Sequence, residues 1–359
     1  MNEIIVYIVV LFFIIGAIDK IIGNRFGFGE RFMEGLMAMG SLAVVMIGII
    51  SLAPVIAKVL LPIVSPVYGL IGADPATFAN TILAIDMGGY ALAETMARTP
   101  EAGFFAWVFL GTTIGVTVVF SLPVALGIIQ KEDREFLAQG ILIGLVTIPF
   151  STFIGGITAG FSLEMLIRNL IPTIIISLFI VIGLWKIPIL IVRGFSIFGK
   201  FIEFLAMGGL VAIVIETLTG FVIIPGLAPL EEGIQIVGTI AIFLAGAFPM
   251  VLFISKACKK PLEKLGSALD INTTATAGLI ATIAHIIPML VLVKDMDPRG
   301  KVINIAFSVS ASFVLGSHLG FVAGIEPELV LPMIISKLLG GTSAVILAIF
   351  ILNKQKKAG

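Results

Sequence analysis

Asp86 is the residue whose position asks for chemistry. It stands in the apolar run Thr81-Ile82-Leu83-Ala84-Ile85-Asp86-Met87-Gly88-Gly89-Tyr90, inside a segment long enough to cross a bilayer. At 1.5 Å per residue it lies roughly 13 Å deep, near the middle of a hydrocarbon core about 30 Å thick. A carboxylate at that depth costs about 2.5–3.5 kcal/mol on insertion scales, so it should face a cavity or a partner. Lys58 and Lys337 are the basic residues of comparable depth that could form a structural ion pair with it. Left unpaired, the carboxylate is suited to holding a cation. Gly88 and Gly89 follow directly, and each costs up to about 1 kcal/mol of helix propensity. A helix break there would expose carbonyls at the negative end of the first half-helix, which also favours a cation. Tyr90 is four residues from Asp86, and in a continuous helix it shares that face. Its ring would then suit an ammonium group by cation–π attraction. For the glycines, tight helix packing is an equally ready explanation.

A second set of polar residues lies far along the chain. Asp270-Ile271-Asn272-Thr273-Thr274 reads as a helix start capped by Asn272 or Asp270. His285 and His318 are the only histidines. His318 sits in Gly316-Ser317-His318-Leu319-Gly320-Phe321. A membrane histidine can bind a ligand, relay a proton or bond a carbonyl across helices. Glu34, Glu94, Glu203 and Glu216 fall nearer the expected helix ends and read as solvated. No phosphate loop, Ser–His–Asp order or metal-ligand cluster occurs, so no enzyme, metal or cofactor is expected. Cys258 is the single cysteine, which excludes an intramolecular disulfide.

The elements that carry these residues must be membrane helices. Of the chain, 59% is hydrophobic and 12% charged, with a mean hydropathy of +1.19. Soluble domains run near 25% charged, and lipid is the solvent that this composition fits. The absence of net charge gives no basic face for nucleic acid. The first apolar run lacks a basic leader and reads as a retained helix. The sequence predicts an all-α polytopic membrane protein of about ten or eleven transmembrane helices. The candidates lie near 3–22, 32–60, 77–97, 103–129, 136–160, 163–184, 196–218, 234–256, 273–293, 302–322 and 329–352. The second run continues through Pro54, Pro62 and Pro66 and could hold a broken or re-entrant piece.

An internal duplication is also expected. Ala38-Met39-Gly40 recurs as Ala206-Met207-Gly208, and Ala84-Ile85 with Gly89 recurs as Ala241-Ile242 with Gly246. Gly115, Pro123, Asp133 and Arg134 recur as Gly278, Pro288, Asp297 and Arg299. With five helices per unit the second copy is upside down. The expected plan is a first membrane repeat over 1–161, a second, inverted, over 162–325, and a terminal helix with a short basic tail over 326–359. Arg134 and Arg299 should then lie on opposite sides. Counting basic loops against this plan leaves a conflict with the positive-inside rule, which a miscounted or a re-entrant segment would relieve.

Several stretches together resemble the ethanolamine-utilisation permease (EutH) family. They are Glu34-Gly35-Leu36-Met37-Ala38-Met39-Gly40, Ala84 through Tyr90, Phe120-Ser121-Leu122-Pro123-Val124-Ala125-Leu126-Gly127-Ile128-Ile129, Asp297-Pro298-Arg299-Gly300-Lys301-Val302-Ile303-Asn304, and Leu315 through Phe321. The resemblance spans nearly the whole chain. It implies a carrier or facilitator in the bacterial inner membrane that imports ethanolamine, a small ammonium substrate. In the family pattern an Asp often stands at the position of Ser317, and an Asn at that of His285. The expected substrate site is Asp86, Gly88, Gly89 and Tyr90 for the ammonium, with Asn272, Asn304, Ser317 or His318 for the hydroxyl. Transport of another small cation or an amino acid is the alternative. Lipid is the expected surrounding, and an oligomer is compatible with the sequence.

Overall fold

The computed structural model describes residues 2–257, 264 and 266–358. Cys258 and most of the basic connector that follows it lie outside the described residues. No strand occurs among those described, and every apolar run expected to be helical is helical apart from breaks at 83–84, 285 and 312–316. Among the described residues, seven helices are long and apolar enough to cross a membrane.

Helix α1 spans Asn2–Ile21 and α2 spans Phe28–Leu70. The break expected at Pro54, Pro62 and Pro66 does not occur, and α2 is one continuous helix of roughly 65 Å. Each proline forfeits one backbone bond, and neighbouring helices hold the segment straight enough to continue. The breaks fall elsewhere, and they build the fold.

The first is at residues 83–84. Helix α3 (Ala76–Ile82) ends where Leu83 and Ala84 become extended, and after a wide turn over Ile85–Gly89 the chain continues as α4 (Tyr90–Met96). This segment was expected to cross the membrane. Instead it turns back, because both its ends are tied to one side chain. The Asp74 carboxylate accepts from the backbone N–H of Ala76 and of Arg98, each at 2.9 Å. The second break is at His285, between α10 (Thr273–Ala284) and α11 (Ile286–Leu292). Here too the ends meet. Asn272 donates from its backbone N–H to Asp297 at 2.8 Å and from Nδ2 to the Asp295 carbonyl at 3.0 Å. Segments 77–97 and 273–293 are therefore re-entrant hairpins, with polar bases and tips inside the protein, the only place where lipid tolerates broken backbone.

Each hairpin is followed by a helix that runs past its tip. After the first comes α5 (Pro100–Ile128), started by the Thr99 cap and Pro100. Over residues 105–121 it is wound wider than an α-helix. After the second comes α12 (Pro298–Ala311), capped by Asp297; it unwinds over 312–316 and resumes as α13 (Ser317–Ile325). The unwound stretch pairs with carbonyls freed at the second hairpin's break. Phe313 N–H donates to Thr282 at 3.2 Å and Leu315 N–H to Ile283 at 3.0 Å.

The other helices are α6 (Arg134–Thr158), α7 (Leu163–Lys186), α8 (Pro188–Thr219), α9 (Leu230–Ala257) and α14 (Val330–Ala358). Helix α6 shows that the hairpins enter from opposite ends. It starts beside the second hairpin's base, where Lys301 pairs with the buried Asp133. It ends near α7, whose Asn169 accepts from Asp74 N–H at 2.7 Å beneath the first hairpin.

The expected division into inverted halves over 1–161 and 162–325 would make their last members run in opposite directions. Helices α6 and α12, their last members, lie side by side in the same direction, with Gly140 facing Ile305 and Gly144 facing Val309. Arg134 and Arg299 share one end of the molecule. The two hairpins, each followed by its helix over 76–128 and 273–325, have their bases at opposite ends. The re-entrant turns also resolve the charge conflict. Lys20, Arg25, Lys131, Arg134, Lys186, Lys294, Arg299, Lys301 and Lys354 gather at one end, and Arg98 and Arg168 mark the other.

The Lys301–Asp133 pair fastens α6 to α12, and its side chains are only 11% and 7% exposed. Lys301→Met leaves a buried carboxylate unpaired and should destabilise the protein by about 3–5 kcal/mol. A thermal melt in detergent should fall for this variant and recover when Asp133→Leu is added.

Candidate functional site

The tips of the two hairpins meet in mid-protein. Between them lies a cavity of about 320 Å³, at the small end of the usual range for ligand sites. The first hairpin supplies Asp86 and Met87, and the second supplies His285. The unwound stretch before α13 adds Phe313, with Ser317 and His318 just beyond. Phe120 comes from the wide part of α5, Ser41 from α2, Glu203 from α8 and Phe248 from α9.

Asp86 stands in the turn that opens the second leg of its hairpin. No ion pair among the described residues includes it. Lys58 is exposed on α2, and the Lys337 ammonium donates instead to the Thr112 carbonyl. The turn bends sharply after Asp86. Met87 leaves helical geometry, and Gly88 has φ +93°, a conformation that side-chain-bearing residues seldom adopt. A Cβ on Gly88 would also come within 2.4 Å of Ile49 Cγ2. The glycines therefore shape the tip, and neither lines the cavity.

Tyr90 is not at the cavity. The irregular turn rotates it away from Asp86, and its ring packs edge-on against Trp107 at 5.3 Å and Phe321 at 5.5 Å. Glu94 closes that cluster by accepting from the Trp107 indole N–H at 2.7 Å. Just outside the helices there, burial and the neighbouring Glu328 and Glu94 carboxylates raise the carboxyl of Glu326 above its ordinary value. The aromatic faces in the cavity belong to Phe120, Phe248 and Phe313, which the sequence did not single out.

The polar residues expected to read the hydroxyl divide two and two. Ser317 and His318 line the cavity. His318 is 1% exposed, and neither ring nitrogen has a partner among the described residues. Phe313 lies between the two histidines, 5.0 Å from His318 and 4.7 Å from His285, in a backbone with φ +63°. The start of α13 adds unpaired backbone N–H groups beside Ser317. Asn272 is elsewhere: it caps α10 at the second hairpin's base, accepting from Ala275 N–H. Asn304 is buried against the carbonyls of Ala275 and Gly300. Glu203 is the carboxylate that sequence reasoning placed in solvent. It stands in the middle of α8 and opens on the cavity.

The arrangement can hold a small molecule with a positive end and a hydrogen-bonding end. Carboxylates and aromatic faces suit the first, and the imidazole, hydroxyl and helix start suit the second. A second cavity of about 540 Å³ leads off toward the lysine-rich end, past Glu34 and Arg31, and shares His285 and Phe248 with the first.

Comparison with known proteins bears on what this cavity serves. The family model described as "Ethanolamine utilisation protein, EutH" matches residues 1–351. The chain belongs to the EutH family. A Listeria monocytogenes protein named "Probable ethanolamine permease EutH" is 56% identical over 99% of this chain and 95% of its own length. An Escherichia coli protein of the same name is 42% identical over 99% of this chain and 96% of its own. A Bacillus subtilis relative, "Uncharacterized protein YxeR", is 57% identical over 96% of this chain and 93% of its own. No solved structure matches. Membership of the EutH family, with the helices described above, makes this a multi-pass protein of the bacterial inner membrane.

Proposed function

We propose that this protein carries ethanolamine across the inner membrane, and that Asp86 receives the substrate's ammonium group. The observation that carries this reading is the placement of Asp86. It is a carboxylate without an ion pair among the described residues, on the tip of a re-entrant hairpin and facing a cavity between two opposed tips. The names of the Listeria and Escherichia relatives supply the substrate. Ethanolamine is a primary ammonium with one hydroxyl, and the cavity matches both ends. Asp86 and Glu203 attract the cation, Phe120 and Phe313 offer ring faces, and Ser317, His318 and the start of α13 meet the hydroxyl.

The positive-inside rule puts the lysine-rich end in the cytoplasm. On that assignment the neighbouring cavity lined by His285, Phe248 and Glu34 lies on the inner side and offers the route inward. The cluster of Tyr90, Trp107 and Phe321 lies between the central cavity and the outside. Import then requires one arrangement in which the aromatic cluster parts and another in which the inner route closes. The opposed hairpins are the elements suited to that exchange.

Uptake of labelled ethanolamine into liposomes holding only the purified protein tests the reading. Accumulation above protein-free liposomes is expected, with propanolamine competing well and choline less well. A stronger block by serine than by propanolamine would shift the assignment to a zwitterion, whose carboxylate would take the start of α13. Glu203→Gln should weaken apparent affinity several-fold without abolishing uptake, because Glu203 reaches the cavity from a more exposed position than Asp86. Initial rates against substrate concentration measure this.

A further inference from the structure

One buried charge has no place in the binding scheme. Lys337 lies two turns into α14 and is 0% exposed. Its ammonium donates to the backbone carbonyl of Thr112, in the wide part of α5. No carboxylate pairs with it among the described residues. A lysine deep in a membrane protein without a counter-ion is costly and marks function more often than structure. Thr112 is one helical turn before Val116, and Val116 lines the central cavity. The ammonium is thus held just behind the cavity wall, against wound-out backbone that also packs on the hairpin carrying Asp86.

We infer that Lys337 is the protein's own exchangeable cation: it carries a proton when the cavity is empty and gives that proton up when a substrate ammonium occupies the cavity. The inference rests on the proposed binding of an ammonium at Asp86. Two like charges on either side of one helix repel, while Lys337, unlike arginine, can shed its charge at accessible pH. In the step, one N–H bond of the Lys337 ammonium breaks, its electron pair stays on Nζ, and the proton leaves to solvent by way of the cavity. One positive charge enters the protein and one leaves it. Cation transport would then be linked to proton movement.

The surroundings of Lys337 leave it few other partners. The elements packed against α14 are α6, α12, α5, α13, α1 and the turn at 327–329. On α6 the charged residues are Arg134 and Glu135, on α12 Arg299 and Lys301, and on α5 Glu101, each at its helix start. On α1 the described titratable residues are Tyr7, Asp19 and Lys20, and Glu326 and Glu328 stand at the turn before α14. The titratable group on a neighbouring segment that is itself buried and reaches the cavity is His318. With both ring nitrogens unpartnered it is placed to relay the proton.

Calorimetric titration of the purified protein with ethanolamine, in buffers of different ionisation enthalpy at one pH, counts protons released per substrate bound. Wild type should release a fraction approaching one proton from Lys337, besides any from Asp86. Lys337→Gln should bind at least as tightly as wild type and lose that share of the release. Lys337→Arg keeps the charge and a donor for Thr112, and should bind at least ten-fold more weakly. A purely structural hydrogen bond predicts the reverse order, with Arg near wild type and Gln impaired. That order, or unchanged proton release in Lys337→Gln, overturns the inference. If Lys337→Gln does not fold, near wild-type affinity in Lys337→Arg is enough to reject it. Asp86→Asn in the same titration keeps the two ideas apart. Normal binding by that variant defeats the Asp86 site, whereas its loss of binding beside unchanged proton release in Lys337→Gln defeats only the role of Lys337.

Discussion

Asp86→Asn is expected to abolish saturable ethanolamine uptake while the protein still folds and inserts. The amide has the shape of the carboxylate, so the hairpin tip should keep its turn. The charge is what disappears. An ammonium leaving water gives up strong hydration, and a neutral cavity of rings and hydroxyls does not replace it. Hydrogen bonds to charged groups are worth about 1.5–3 kcal/mol each, and removing the anionic partner of a desolvated charge costs about 2–5 kcal/mol. A loss of two to three orders of magnitude in affinity follows. The membrane should accept the variant readily, because a buried carboxylate has been removed. Unchanged melting with lost binding, measured on the same detergent-purified sample, is the expected pair of results. The same carboxylate gives a pH dependence. Proton and ammonium compete for it, so apparent affinity in the wild type should worsen as pH falls. Asp86→Asn binding ethanolamine at wild-type affinity would falsify the site.

Much of this was legible in the sequence, and the failures have physical causes. Asp86 was visible because one charge in an apolar run contradicts its solvent. The hairpins were hidden because two short helical legs and a tip together are as long as one membrane span. Only the misplaced lysines and arginines betrayed them, since turning back reverses the sidedness of everything downstream. Tyr90 was assigned to the face of Asp86 by helical periodicity. That rule assumes continuous backbone, and Met87 and Gly88 interrupt it. Glu203 was read as solvated because α8 was expected to begin near residue 196. The helix begins at Pro188, which puts Glu203 well inside it. Phe313 gave no sequence signal, because a positive φ at a phenylalanine is imposed by packing around the unwound stretch. His318 was found because it is one of two histidines in an apolar chain, and Ser317 because it is a neutral hydroxyl beside it. The matches between halves that suggested five-helix repeats fell partly on helices that prove parallel. Apolar helices rich in glycine and alanine resemble one another whatever their direction.

The tip that carries Asp86 depends on a residue that never approaches the substrate, and Gly115→Val is expected to show it. Gly115 lies in the wide part of α5, directly against the first hairpin's break. A Cβ there would stand 2.0 Å from the Leu83 carbonyl oxygen and 2.6 Å from that of Asn80. Both are backbone atoms, so no side chain can rotate away to make room. Either α5 moves off the hairpin or the hairpin tip moves into the cavity. Asn80 is fully buried at this contact, and its side chain has no partner among the described residues, so the region has little polar bonding with which to absorb a shift. Overpacking of this kind costs about 1–3 kcal/mol where side chains can yield, and more where they cannot. Since the shift falls on the segment that aims Asp86, loss of uptake should exceed loss of stability. Gly127 is a control on the same helix, because a Cβ there meets nothing within 4 Å. Gly115→Val should melt several degrees lower and transport almost nothing, while Gly127→Val should differ little from wild type in either measurement. Equal behaviour of the two variants would mean that the contact between α5 and the hairpin break does not set the position of the carboxylate.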